Sequence, residues 1–195
     1  ILGPEFCCYL WAAHPTIVQE IVEVAAGRIL KVVERACEQG VDCFRIYGGE
    51  YATQLMGPSA WEALVDPFDR QLVALMHAYG AIVHYHNHGM MDLWLERIAD
   101  LGVDSLDPIE QPPYGDTPME VAMARIGDRV CLVGGLDDME ILEQQPSHRV
   151  IEKGADLLQS VGSVGFMLGG TSSGIYGPSA ARNFLALVEL VERLS

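Results

Sequence analysis

Apolar positions along this chain switch between two periods. Short runs of strand type alternate with longer stretches in which apolar residues recur about every 3.6 positions. From Pro15 to Gln39, Ile17, Ile21, Val24, Ile29, Val32 and Val33 fall on a helical period, which Gly40 ends. Asp42–Tyr47 reads as a strand halted by Gly48-Gly49. A helix is expected over about Ser59–Tyr79, and the strand Ala81–Tyr85 follows Gly80. Strands at Asp104–Ile109, Val130–Val133 and Gly165–Leu168 then alternate with helices over about Met91–Asp100, Ser147–Gln159 and Ser179–Leu194. Thr117-Pro118-Met119-Glu120 has the form of a capping box and is expected to open a further helix running to about Ile126.

Every strand-to-strand connection exceeds the dozen or so residues that a right-handed crossover needs. Such units build a parallel sheet covered by helices, so the fold class is α/β with TIM-barrel-type (β/α) units. About five strands are counted, an incomplete (β/α)₈ barrel. No linker or repeat interrupts residues 1–195, which read as a single domain.

Composition narrows the function. Half of the 195 residues are hydrophobic and the net charge is −15, with no basic cluster, which argues against a nucleic-acid surface. No apolar run approaches the ~20 residues of a membrane span, and no basic-then-apolar segment opens the sequence, so no signal segment is expected. Five cysteines without zinc-ribbon or redox spacing fit a reduced, cytoplasmic protein.

The polar residues gather just after the strands, where parallel α/β folds place their active sites. Glu50 follows the first strand, Glu110 and Tyr114 the third, Asp137 the fourth, and Gly169-Gly170-Thr171-Ser172-Ser173 the fifth. The second carries His84, His86 and His88, half of the six histidines, on one face if the strand persists that far. Neutral imidazoles at this spacing suit a cation such as Zn²⁺. His84 reads as a structural strand histidine, leaving His86 and His88 as the ligand pair. Each remaining candidate has a plain reading too: Glu50 as a solvated loop charge, Glu110 as a loop-shaping residue, Asp137 as a helix cap. The glycine-rich loop lacks the lysine of a P-loop, so as an anion cradle at Gly170 and Ser173 it is a weak motif.

His86-Asn87-His88-Gly89 followed by Gly102-Val103-Asp104 resembles the His-x-Cys-Gly…Gly-Ala-Asp segment of the uroporphyrinogen decarboxylase superfamily. Pro58-Ser59…Asp66-Pro67-Phe68, Gly134-Gly135-Leu136-Asp137 and Gly174-Ile175…Asn183 match further stretches in order. The resemblance implies a (β/α)₈ barrel of which this chain carries the later part, N-terminally truncated relative to the family. It also implies kinship with decarboxylases and with zinc-dependent methyltransferases that pass a methyl group between a corrinoid protein and a thiol.

Under that resemblance His86 falls on the methyltransferases' zinc-ligand histidine and His88 on their ligand cysteine. Their third ligand, a cysteine near the last glycine-rich loop, meets Ser173 or a neighbour here. The expected site is therefore rich in nitrogen and oxygen: His86 and His88, completed by Glu50 or alternatively Glu110, hold Zn²⁺ or another divalent metal. Glu50, Glu110 and Asp137 are the catalytic candidates, and Tyr114, Gly170 and Ser173 the cofactor-binding ones. The expected reaction is activation of a thiol for methyl transfer from a corrinoid. Expected partners are a small-molecule substrate, a corrinoid protein and a second copy of the chain, with neither nucleic acid nor membrane. The alternatives are porphyrinogen decarboxylation and a non-catalytic half-barrel binding module.

Overall fold

The computed structural model describes residues 3–162, 164–171 and 176–194. Five strands, β1 (Cys43–Tyr47), β2 (Ile82–His86), β3 (Ser105–Ile109), β4 (Cys131–Leu136) and β5 (Phe166–Gly170), form one sheet in sequential order. The pairings of β1 with β2, β3 with β4 and β4 with β5 are parallel. Helices α1 (Pro4–Ala13), α2 (Pro15–Glu38), α3 (Pro58–Leu64), α4 (Asp66–Ala78), α5 (Leu95–Ala99), α6 (Met119–Ile126), α7 (Ser147–Val161) and α8 (Pro178–Leu194) alternate with them. The expected α/β class and five-strand count hold. No described helix is long and apolar enough to cross a membrane.

The chain divides into two compact units. The first comprises Ile1–Asn87 with Glu96–Asp104. Here β1 and β2 pair in the register Arg45↔His84 and Tyr47↔His86. Trp61, Val73, Met76, Val83 and Tyr85 are buried. Gly40 (φ 84°) and Gly80 (φ 77°) turn the chain out of α2 and α4 in the left-handed region, where a side chain would be strained. The predicted helix over Ser59–Tyr79 is two helices meeting at Val65. Pro67 cannot donate the hydrogen bond that a continuous helix would need, so the helix restarts with proline in its first turn.

The second unit comprises His88–Leu95 with Ser105–Ser195. Leu136, Leu142, Val150, Ala180 and Leu187 form a buried cluster between β4, α7 and α8. Gly134 and Gly135 do not stop the fourth strand as expected. They continue it at φ 127° and 94°, and a Cβ on Gly135 would lie 2.4 Å from Leu157 Cδ2 of α7. The capping box at Thr117 does not form: the Thr117 hydroxyl donates to Asp116 Oδ1 at 2.9 Å, and Pro118 takes the cap position without a side-chain bond. The helix expected over Met91–Asp100 is only the five residues of α5. Asp116 accounts for its late start, because its carboxylate accepts the Met91 and Asp92 amides at 2.7 and 3.0 Å.

Candidate functional site

Strand alternation sorts the residues of β1 and β2. Tyr85 points to the helix-covered face: it is fully buried and its hydroxyl donates to Asp69 Oδ2 of α4 at 2.7 Å. Its neighbours in the chain therefore face the other way, and paired positions of parallel strands share a face. Arg45, Tyr47, His84 and His86 accordingly stand together on the face opposite α4.

His86 is the most constrained of these. Arg45 Nη2 lies 2.6 Å from its Nδ1, and the Tyr47 ring meets its edge with centroids 5.2 Å apart at 69°. The Arg45 guanidinium also sits 5.0 Å from the Tyr47 ring centroid, a cation–π contact. On the other side of the imidazole, Nε2 faces Glu50 Oε1 at 3.9 Å. Glu50 opens the turn after Gly48-Gly49, and Ala52–Met56 continues it as a π-helical turn. Asn87, fully buried, donates to Thr53 Oγ1 at 3.1 Å and so ties the end of β2 to that turn.

Beyond Asn87 the chain turns at Gly89 (φ 92°). Glu110, at the exit of β3, serves this turn twice. Its Oε2 accepts the Gly89 amide at 2.6 Å and lies 3.3 Å from His88 Nδ1. A carboxylate at this place accepts a proton carried on Nδ1 and so orients the His88 ring.

In the first unit Glu50 and His86 each offer a donor atom, 3.9 Å apart, and His88 follows two residues further along the chain. Two imidazoles and a carboxylate are a donor set for Zn²⁺ or a harder divalent ion. His88 has its Nδ1–H held by a carboxylate, the usual arrangement of a ligating histidine. Glu50 is half-exposed and able to adjust. His84 shares the face but lies outside this cluster, in line with its structural reading.

The other expected residues collect elsewhere in the second unit. Glu110, Tyr114 and Asp137 line a cavity of about 620 Å³ together with Glu140, Leu157 and Thr171. Asp137 caps the π-helical turn Asp138–Glu143 by accepting the Glu140 amide at 2.6 Å, its plain structural reading. The Tyr114 hydroxyl donates to Glu140, and this bond to a carboxylate raises its pKa. Gly170 belongs to β5, and a Cβ there would lie 2.1 Å from Asp138 Oδ1, so its bareness makes room for that carboxylate. Ser173 lies outside the described residues.

Three features escape sequence reasoning. Arg45 and Tyr47 could have been found from strand alternation, since they sit two apart and share a strand register with the histidines. Asp138 reads from the sequence only as a helix-cap candidate beside Asp137. It is buried, accepts the Thr171 amide at 2.9 Å and the Tyr176 hydroxyl at 3.1 Å, and its own amide donates to Thr171 Oγ1 at 3.3 Å. Burial, with the adjacent carboxylates of Asp138 and Asp107, pushes the Tyr176 hydroxyl up to about 12.

Asp69 is the third. Burial lifts its carboxyl to about 6, the neighbouring charge of Asp66 adds to the rise, and the Tyr85 hydroxyl bond opposes it. A raised carboxyl pKa means that the folded state holds the proton more tightly than the unfolded chain does. Stability from this group is therefore present below the unfolded value near 4 and lost as pH rises through 6. Asp69→Asn, which keeps an acceptor for Tyr85, should stabilise the protein at pH 8 by about 1–2 kcal/mol after discounting for partial solvent access. The gain should vanish below pH ~4. Urea denaturation of both proteins at pH 4 and pH 8 checks this, and a gain equal at both pH values contradicts it.

The profile of the family described as uroporphyrinogen decarboxylase (URO-D) matches residues 3–194. No curated protein matches the chain. Among solved structures, a methyltransferase from Methanosarcina mazei shares the fold with a TM-score of 0.79 at 16% sequence identity, over 99% of this chain and 54% of that one. The chain thus spans about half the length of that structure, and its five strand–helix units form part of a TIM barrel.

Proposed function

This chain belongs to the uroporphyrinogen decarboxylase family, and from that premise we propose that it carries the metal-holding part of a methyltransferase-type active site. Glu50, His86 and His88 bind a divalent cation, zinc being the ion best suited to two imidazoles and one carboxylate. The observation that carries the reading is the facing of His86 Nε2 and Glu50 Oε1 at 3.9 Å, with His88 two residues further along the chain. The fold shared with a methyltransferase from Methanosarcina mazei supports the choice of reaction. A bound zinc ion would lower the pKa of a coordinated thiol or water and hold it as a nucleophile. The methyl donor is of the corrinoid class, and the acceptor is a small thiol.

The protein's own residues do the positioning. Glu110 fixes the His88 ring through Nδ1 and holds the Gly89 turn with the same oxygen. Asn87 and Thr53 hold the Glu50 turn against the end of β2. Tyr47 packs its ring on the edge of His86 and limits its rotation.

Metal analysis tests the reading. Protein purified without a histidine tag is expected to hold near-stoichiometric divalent metal, and His86→Ala/His88→Ala to hold almost none. Equal metal content in the two proteins overturns it. One observation favours a carboxy-lyase instead: the exposed Arg45 guanidinium beside His86 offers a bidentate partner for a substrate carboxylate. Turnover of uroporphyrinogen by metal-stripped protein would establish that activity.

A further inference from the structure

The apolar residues that give α2 its helical period in the sequence are not the ones it buries. Its buried positions are Val18, Ala26 and Cys37. Ile17, Ile21, Val24 and Val32 instead stand between 39% and 69% exposed. Their spacing of i, i+4, i+7 and i+15 puts them on one side of the helix, in a row that Arg28 completes at i+11. At 1.5 Å per residue, the 24 residues of α2 extend over about 36 Å. Single exposed apolar side chains are ordinary, but a row of four along one helix has the form in which a helix docks on another helix.

Charge along the row is polarised. Glu20 flanks its N-terminal half, and Arg28 and Lys31 belong to its C-terminal half. Among the described residues none of these three has an ion pair within the chain. A second copy laid parallel would set Glu20 against Glu20 and Lys31 against Lys31. Laid antiparallel, it sets each carboxylate against a cation. We propose that α2 is a self-docking surface, through which two copies of this chain associate with their α2 helices antiparallel about a twofold axis near Val24. Such an axis brings Ile17 opposite Val32 of the second copy and Glu20 opposite the stretch from Arg28 to Lys31, and it repeats each contact. The Arg28 stem lies along Ile21 of the second copy while its guanidinium reaches Glu20. A strip about 36 Å long and about 10 Å wide covers on the order of 360 Å² per copy, well below the ~800 Å² of a standard interface. The dimer is therefore weak and reversible, with a dissociation constant on the order of 0.1 mM.

Sedimentation of the full chain from about 10 μM to about 1 mM tests this. Wild type is expected to pass from monomer to dimer over that range. Val24→Glu sets two carboxylates face to face at the axis and should weaken association at least about tenfold. Val24 is more than half exposed, so its melting transition should stay that of wild-type monomer. Glu20→Lys and Lys31→Glu should each weaken association about fivefold, because each turns two attractive contacts into repulsive ones. An equimolar mixture of these two variants should associate at least as tightly as wild type, since every cation again meets a carboxylate. A wild type that stays monomeric throughout overturns the proposal, as does a dimer that survives Val24→Glu. Charge reversals that leave the wild-type affinity, or a mixture no tighter than its components, overturn the antiparallel pairing on which it stands.

Discussion

Replacing Glu110 with alanine is expected to weaken divalent-metal binding by about 10–100-fold while the protein stays folded. The side chain is buried at the exit of β3, and one of its oxygens serves two partners, the Gly89 amide at 2.6 Å and His88 Nδ1 at 3.3 Å. Removing it frees the ring of His88 to rotate and to take the other tautomer. It also leaves the Gly89 amide without that acceptor, at a cost of about 1–3 kcal/mol. Neither loss touches the apolar cores of the two units. Glu110→Gln should recover part of the affinity, because its carbonyl oxygen still accepts one of the two protons. Zinc competition titrations of the three proteins give the answer, and an affinity unchanged in Glu110→Ala would remove the residue from the site.

Gly115→Ala should have the largest effect on stability, about 3 kcal/mol. A Cβ there would lie 1.9 Å from the backbone oxygen of Glu110, and a backbone atom cannot rotate away as a side chain can. The segment is closed on itself by the bond from the Gly115 amide to Gln111 O at 3.1 Å, and Gln111 Nε2 anchors it to Gly135 O of β4 at 3.3 Å. Relief of the clash has to move Glu110, so Gly115→Ala should lose metal affinity together with stability. Glu110→Ala should lose chiefly affinity, and the two variants separate the side chain's role from the loop's. Chemical denaturation midpoints alongside the same titrations report both quantities. An unshifted midpoint in Gly115→Ala would mean that the loop accommodates a methyl group.

What could be read from the sequence follows the range of the forces involved. Strand positions were legible because alternation and flanking glycines are local, and the five exits with their polar residues followed from them. The break at Val65 was written in Pro67, but the apolar period running past it hid the interruption. The capping box at Thr117 failed because the Thr117 hydroxyl is taken by Asp116, a preference set by geometry and not by residue type. Of the site, the histidine spacing and Glu110 were visible. Arg45 was not among the candidates, because its bearing on His86 depends on which residues pair across β1 and β2. The bonds of Asp138 to Thr171 join positions 33 apart, beyond any local pattern.

The buried bond from Asn87 to Thr53 has a consequence for ion choice. Asn87 follows His86, and Thr53 lies three residues after Glu50, so this link sets how far Glu50 and His86 can spread. Widening the aperture means breaking a hydrogen bond that water cannot replace at so enclosed an amide. Calcium, with oxygen ligands at about 2.3–2.6 Å and six to eight of them, asks for such widening. Zinc, content with four ligands at about 2.0–2.2 Å from nitrogen and oxygen, does not. On the proposed reading of Glu50 and His86 as metal ligands, the link therefore favours the smaller ion.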